Sequence, residues 1–258
     1  MTTNTDNETM QTLLDRRSIR AFDGEPLSED VTEALETAAQ HAASSQYLND
    51  WSAIRIKDPE LKQTLAKCGK QPYIATAPAL YVFVLDEYRN AQIAKKAGID
   101  PDSDEFTLKY GYRFSQAQND AVLALHAMET AAESMGLGCV ILGSILNDIP
   151  CLIKALKLPK YTYPVLGLAI GKPAQDPAVK PRMPRAMQFF DNAYDTESDH
   201  LDTYLQQFDD EVCHYYDLRD TTRPVETFSK QIAAKAADQG VLNRGLCDAS
   251  DQGFDLSK

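Results

Sequence analysis

The stretch RRSIRAF, here called the arginine segment (Arg16–Phe22), places three arginines around one serine in a chain with a net charge of −12. Guanidinium groups donate paired hydrogen bonds to phosphate, and a serine hydroxyl adds a further donor. The segment could therefore bind a dianion. It could equally be the solvated basic end of a preceding helix, where cations interact favourably with the helix dipole. Taken alone, the segment favours the helix end.

A second basic motif, KPR (Lys180–Arg182), lies in an extended, proline-rich loop after a predicted strand that ends in GKP. A basic loop is usually just solvated, so this motif alone is a weak signal. Lys180 and Arg182 would surround one phosphate if they met the arginine segment in space. Sequence spacing does not show that they meet.

Two polar or glycine-rich stretches could contact a flat ligand. GLGCVILGS has the spacing G-x-G-x-x-x-x-G around a strand, which differs from the dinucleotide fingerprint that opens a helix. Gly143 either lets the backbone approach a flat ligand or simply ends a strand, and both interpretations stay open. The run SSQY (residues 44–47) could hydrogen-bond the edge of a polar ring, although a helix unwinding into a polar loop is favoured in isolation.

Other residue types carry less. His126 could share a helix face with Glu129 and Glu133, but a metal site needs more ligands, so no metal is predicted. The five cysteines are odd in number, separated in sequence and without a C-x-x-C pair, which is typical of free thiols in a reducing cytosol.

Composition excludes several classes of protein. The acidic charge argues against nucleic acid or an anionic membrane as the main partner. The longest apolar run (residues 74–85) is too short to span a bilayer and contains Pro78. Because the N-terminus also lacks the apolar part of a signal peptide, a cytoplasmic protein is predicted.

Helical and strand patterns alternate along the chain without forming a clean βαβ series, which favours an α+β architecture. The predicted strands cover residues 51–57, 79–86, 136–144 and 163–173. The predicted helices cover residues 9–16, 27–45, 58–69, 115–135, 148–159, 198–216 and 226–238. Ser28 and Asp148 are expected as helix caps, Gly69 is expected to follow a helix end, and the last twenty residues are expected to be polar and mobile.

The order of these motifs resembles the nitroreductase family over residues 10–228. It looks closest to the NADPH-dependent, oxygen-insensitive nitroreductases and FMN-containing flavin reductases, because R-S-I-R combined with G-K-P…K-P-R-x-P is specific to that subgroup. The resemblance implies an intertwined homodimer with a central, mainly antiparallel sheet flanked by helices. It further implies a single domain (residues 1–258) with a helical excursion at about 187–240 for nicotinamide-cofactor and dimer contacts, and a polar tail at 241–258.

The resemblance also implies roles for individual residues around FMN. The phosphate would be held by Arg17, Ser18, Lys180 and Arg182, with Arg16 nearby. Arg20 would contact the flavin or its ribityl chain, and Ser44, Ser45, Gln46 and Gln71 would line its partner-side wall. Leu142, Gly143 and Ser144 would lie along the ring, with the Gly143 amide facing the reactive N5 atom.

For the second substrate, the resemblance places Arg219 at the 2′-phosphate of NADPH, with Arg223 as a substitute for a second arginine and Tyr47 near NADPH or the acceptor. Arg16 stands where the subgroup often has histidine, and Leu146 stands where it can have arginine. These departures weaken the expectation of NADPH over NADH more than the expectation of FMN.

The implied activity is hydride transfer from NAD(P)H through FMN to a small electron-poor acceptor, such as a nitroaromatic or a quinone, by a ping-pong mechanism. No protein general acid is assigned. The alternatives are a flavin reductase that supplies reduced FMN and a non-catalytic flavin-binding or sensory protein.

Overall fold

The computed structural model describes residues 6–196, 198–215, 222, 224–238 and 245–258. The chain forms two compact units, of which the first comprises Met1–Gln175 with Leu242–Lys258 and the second comprises Asp176–Val241. Among the described helices, none is long and apolar enough to cross a membrane.

A four-stranded sheet forms the centre of the first unit. Its strands are β1 (Trp51–Arg55), β2 (Ala79–Asp86), β3 (Gly138–Leu142) and β4 (Thr162–Gly171). The strand order is β1-β2-β4-β3, and every neighbouring pair is antiparallel. The prediction of an α+β fold with a mainly antiparallel sheet is therefore confirmed, and β1 and β3 are its two edges.

Six of the described α-helices belong to the first unit with this sheet. They are α1 (Glu8–Leu14), α2 (Glu29–Gln40), α3 (Pro59–Gly69), α4 (Glu87–Lys96), α5 (Gly111–Ser134) and α6 (Ile149–Leu156). The predicted caps are confirmed, because Ser28 Oγ accepts from Val31 N and Asp148 Oδ1 accepts from Cys151 N. Lys70, and not Gly69, takes the left-handed position after α3, with φ 50°.

Helix α4 was not predicted, since it buries only Glu87 and Ala91 and therefore carries little apolar periodicity. Its start is stabilised by Asp86, whose side chain accepts from Arg89 N. The helix thus depends on a cap and on tertiary contacts more than on an apolar face.

The core occupies both faces of the sheet, as the alternation of side chains along β2 requires. Leu80, Val82 and Val84 pack toward α3 and α6 in one cluster. Tyr81 and Phe83 pack toward α2 and α5 in another. The central strand is consequently buried along its whole length.

The expectation of a mobile C-terminus is wrong for residues 245–258. Gln252 O accepts from Tyr161 N at 2.7 Å, Lys258 O accepts from Gly111 N at 2.9 Å, and Phe254 is buried against Tyr161. Backbone groups that would otherwise be buried without partners are satisfied in this way. Residues 239–244 lie outside the described residues.

The second unit contains α7 (Ser198–Val212) and α8 (Phe228–Ala236), as the helical patterns predict. Phe208 and Phe228 meet with ring centroids 5.1 Å apart. Asp209 accepts from Ser229 N at 2.8 Å, which ties the start of α8 to α7.

Candidate functional site

The arginine segment lies against the start of the edge strand β3. Ser18 forms a parallel bridge with Cys139, and Ile19 N donates to Cys139 O at 2.8 Å. Ile19 is buried, and a Cβ on Gly138 would lie 2.7 Å from its side chain. Glycine at position 138 therefore allows the segment to approach the strand this closely.

The far end of the segment is also fixed. Phe22 bridges Pro173 after β4, and Ala174 N donates to Ala21 O at 2.9 Å. Phe22 packs against the core cluster on the α3 side of the sheet. Ile19 and Phe22 therefore anchor the two ends of the segment to the core.

Arg16 neutralises a buried carboxylate. Its Nε and Nη2 atoms lie 3.0 and 2.9 Å from Oε1 of Glu129, a fully buried residue of α5. His126 Nδ1 lies 3.2 Å from the other oxygen of the same carboxylate. Among the described residues, no group of three or more His, Cys, Asp or Glu is arranged to hold a metal ion. The cofactor contact of Arg16 stays a prediction.

The other charged groups of the segment face different surroundings. Burial and the neighbouring Glu129 raise the pKa of Glu133 to about 7, while Arg16 and Arg17 act in the opposite direction. Ser18 and Arg20 are half-buried, and neither side chain has a hydrogen-bond or ion-pair partner among the described residues. A half-buried hydroxyl and cation with unused donors are suited to an anionic or polar ligand.

The end of β3 is open. Leu142 is buried, whereas Gly143 is exposed and begins a 3₁₀ turn (Gly143–Asp148). A Cβ on Gly143 would meet only Leu166 Cδ2, at 4.0 Å, among the described residues. Nothing in this part of the protein requires glycine there, so both interpretations of Gly143 remain open.

The end of α3 lies against Ser144. A Cβ on Gly69, the last residue of α3, would lie 3.2 Å from Ser144 Oγ. The left-handed Lys70 then turns the chain, and Gln71 N donates to Ala66 O at 3.0 Å. The end of α3 therefore places Gln71 beside the turn that follows β3.

The run Ser44–Asn49, here called the serine loop, leads into β1. Ser45 N donates to both carboxylate oxygens of Asp120, at 3.0 and 2.9 Å, and Gln116 Nε2 donates to Ser45 Oγ at 2.6 Å. Gln46, Tyr47 and Asn49 have positive φ angles of 52°, 59° and 49°. Side-chain contacts from α5 thus hold a loop with an unfavourable backbone.

The serine loop and the arginine segment lie at opposite edges of the sheet. Three strand spacings separate β1 from β3, which is about 14 Å. Within one chain, the structure does not bring Ser44, Ser45, Gln46 or Tyr47 to the β3 edge.

Lys180 and Arg182 belong to the second unit. Arg182 Nη1 donates to Lys180 O at 2.7 Å, and Lys180 Nζ lies 5.9 Å from the centroid of the Tyr215 ring. Their meeting with Arg17 stays a prediction. Arg219 and Arg223 lie outside the described residues.

Three buried carboxyl groups near the serine loop were not predicted: Asp50, Glu87 and Asp120. Burial, followed by contact with Asp120, raises the pKa of Asp50 to about 7. Burial raises the pKa of Glu87 to about 8. The sequence signal for Asp120 was its place in a helix rich in small apolar residues, where a lone carboxylate is expected to have a partner.

A cavity of about 520 Å³ lies at the β1 edge. Its lining includes Glu36, Trp51, Tyr81 and Arg89, together with Asn49 of the serine loop. None of the residues predicted to bind a cofactor lines it. This cavity and the β3 edge are therefore different places.

The sequence pattern of the nitroreductase family matches residues 13–172, and the pattern of the family's C-terminal domain matches residues 180–257. The chain belongs to the nitroreductase family. The prediction of an oxidoreductase of this type is confirmed, and the match spans both the arginine segment and β3.

Curated nitroreductase relatives agree with this assignment. An "FMN reductase (NADPH)" of Bacillus subtilis is 34% identical over 227 residues, which cover 88% of this chain and 90% of that relative. An "NADPH-dependent oxidoreductase" of Staphylococcus haemolyticus is 36% identical over 218 residues, covering 84% and 86%.

Solved structures show the same fold. The NfrA1 nitroreductase of B. subtilis superposes with a TM-score of 0.87 at 32% identity, covering 95% of this chain and 98% of that one. The NADPH:FMN oxidoreductase of Vibrio harveyi, solved in complex with NAD+, superposes with a TM-score of 0.81 at 27% identity, covering 96% and 99%.

Proposed function

We propose that this nitroreductase is an NAD(P)H-dependent FMN oxidoreductase that reduces small electron-poor acceptors. The carrying observation is the pairing of Ser18 with Cys139, which lays the arginine segment along the start of the strand whose other end presents Gly143. The four residue steps from Cys139 to Gly143 span about 13 Å of strand. The end of β3 beside the arginine segment is therefore separated from the exposed end at Gly143. The names of the relatives support the same cofactor and reductant.

The residues present fit FMN, which has a phosphate at one end and a flat polar ring at the other. Arg17 and Ser18 offer charge and donors at the start of β3, Arg20 lies two residues further along the segment, and Lys180 and Arg182 would add charge from the second unit. At the other end, Gly143 offers an exposed backbone without a side chain, and Ser144 and Gln71 offer a hydroxyl and an amide. A flat ring could lie against Leu142 and Gly143 without a clash, since Leu166 is the only described residue within 4 Å of a Cβ built on Gly143.

Bound FMN supplies hydride acceptance from NAD(P)H and hydride donation to the acceptor. The protein supplies position and electrostatics. Arg20 is proposed to stabilise negative charge that develops on the ring, because a cation in a half-buried place acts strongly. The open surface at Gly143 would admit the nicotinamide and the acceptor in turn, which predicts ping-pong kinetics, and solvent would supply protons.

We infer a homodimer from the separation of the two edges. Ser44, Ser45 and Gln46 are predicted to contact FMN, yet they lie about 14 Å from β3 across the sheet of the same chain. A second copy could supply its serine loop to the β3 edge of the first. Each site would then contain residues of both chains.

The preference for NADPH is proposed to depend on Arg219, with Arg223 in support. Replacement of Arg219 by alanine should raise KM for NADPH and leave KM for NADH unchanged, because only NADPH carries the 2′-phosphate. Equal effects on both would remove Arg219 from this role.

The decisive experiment is an anaerobic titration of the FMN-loaded protein with NADPH and with NADH, followed by a panel of nitroaromatics, quinones and free FMN. Loss of the oxidised-flavin absorption supports the proposal, and bound flavin that neither nucleotide reduces would show a non-catalytic binding protein. Turnover of free FMN well above that of quinones would favour a flavin reductase, as the name of the B. subtilis relative suggests.

The phosphate assignment has its own test. Arg17→Ala and Arg182→Ala should each weaken FMN binding by about 1.5–3 kcal/mol, because each removes a charge-assisted hydrogen bond. Unchanged FMN affinity in both variants would contradict it.

A further inference from the structure

The serine loop depends on a buried carboxyl group for its shape. Ser45 N donates to both oxygens of Asp120, which is itself buried on α5. Gln116 adds a second contact, and Arg113 Nη1 in turn donates to Gln116 Oε1 at 2.8 Å. Because several loop residues have positive φ, the loop needs such contacts to keep this conformation.

Asp50 directly follows the serine loop in the sequence. Its side chain is fully buried, and no N–H or O–H donor of the described residues other than a protonated carboxyl reaches either of its oxygens. The carboxyl group of Asp120 lies close enough to Asp50 to oppose its ionisation. Two carboxyl groups can share a hydrogen bond only when one of them holds a proton, since two adjacent carboxylates repel each other.

Other charged groups face the pair from the neighbouring elements. Arg113 lies on the same helix as Asp120 and favours ionisation of Asp50. Glu87 and Asp86, at the junction of β2 and α4, oppose ionisation in this cluster, and Arg89 pairs with Asp86 at 3.6 Å. Four buried carboxyls therefore face two arginines among the described residues named here, which favours a proton on Asp50, the carboxyl without a donor.

We propose that Asp120, through one proton shared with Asp50, is a positioning residue that holds the serine loop in the conformation needed for flavin binding. With the proton present, Asp120 accepts from both Asp50 and Ser45. Loss of the proton leaves two carboxylates next to each other inside the protein. Their repulsion is proposed to move Asp120 away from Ser45. The role in flavin binding depends on the proposed function, while the proton sharing itself does not.

The test compares wild type with Asp50→Asn. The asparagine amide donates to Asp120 at every pH, so it replaces the protonated form of Asp50. FMN dissociation constants are measured from about pH 6 to about pH 8.5, where the wild type should weaken by about tenfold and the variant should stay level. Titration of the FMN phosphate is common to both proteins and cancels in the comparison.

A second readout does not need flavin. Trp51 is the single tryptophan of the chain and follows Asp50 directly. In the full-length, flavin-free protein, Trp51 emission should change over the same pH range in the wild type and stay level in Asp50→Asn. Glu87→Gln is the matched control, because it removes a buried carboxyl that makes no contact with Ser45, and it should keep the pH dependence.

The outcomes separate the two proposals. A wild type that binds FMN with the same pH profile as Asp50→Asn overturns the positioning role and leaves the proposed function intact. Absence of FMN binding at every pH overturns the proposed function, and the Trp51 titration then decides alone whether the shared proton controls the loop. A level Trp51 titration in the wild type overturns the proton sharing.

Discussion

The arginine segment and the serine loop are proposed to bind one ligand, yet they are held in different ways. The arginine segment is joined to β3 by a backbone hydrogen bond and by the packing of buried Ile19 over Gly138. The serine loop is held by the Asp120 side chain against an unfavourable backbone. Backbone pairing and apolar packing do not titrate near neutral pH, whereas a shared proton does. The comparison therefore predicts that the conformation of the serine loop depends on pH near neutrality, whereas the pairing of the arginine segment with β3 does not.

The largest effect is expected where the arginine segment meets α5. Arg16→Ala leaves the buried Glu129 carboxylate with His126 as its only side-chain partner among the described residues and should destabilise the protein by about 3 kcal/mol. Urea unfolding at neutral pH measures this. The double variant Arg16→Ala with Glu129→Gln should recover most of the loss, and a loss well under 1 kcal/mol in the single variant would mean that water already reaches the carboxylate.

The two glycines of β3 and its end give a matched pair. Gly138→Ala places a Cβ 2.7 Å from Ile19 and should cost about 1–3 kcal/mol of stability, together with FMN retention. Gly143→Ala meets only Leu166 at 4.0 Å, so unfolding should change by less than about 0.5 kcal/mol while FMN binding or reduction weakens. Equal stability of both variants would show that the segment does not depend on close approach to β3.

We expect the titration of Asp50 to change the free energy of unfolding as well. Because the native pKa of Asp50 is about 7, above its usual 3.8, the native state keeps a proton that the unfolded chain releases. Asp50 makes its full contribution to the free energy of unfolding below about pH 4, and this contribution is lost as the pH rises from about 4 to about 7. Asp50→Asn should therefore gain on the wild type by up to about 1.4 kcal/mol per pH unit across this range, and level off above it. Parallel unfolding profiles would refute this.

The smallest effect is expected at two cysteines on the helices α3 and α6. Cys68 on α3 and Cys151 on α6 are free thiols with their Sγ atoms 2.8 Å apart. Hydrogen peroxide should convert the two thiols to one disulfide with release of two waters, slowly, since burial raises the pKa of Cys68 to about 12. Thiol counting and mass spectrometry after oxidation measure it, with Cys68→Ser as the control. Retention of all five thiols after prolonged oxidation would contradict this prediction.

Local patterns predicted much of the fold because they depend on short-range physics. The apolar run of β2, the caps Ser28 and Asp148, and the small-residue helix α5 each follow from neighbouring residues. Helix α4 and the packed C-terminus did not, because their stability comes from distant partners such as Tyr161 and Gly111. Whether the second unit is an excursion from a single domain stays a prediction.

The sequence by itself determined which residue types could bind a phosphate and a flat ring, and their order along the chain was enough to indicate the family. Only the tertiary structure decided how those residues are used. In the structure Arg16 pairs with the buried carboxylate of Glu129, whereas the side chains of Ser18 and Arg20 have no partner among the described residues. The serine loop lies at the opposite edge of the sheet. The tertiary structure also brought Asp50 to Asp120, which are seventy residues apart in sequence. Pairing, burial and proton sharing depend on distances between remote residues, and local sequence patterns do not encode those distances.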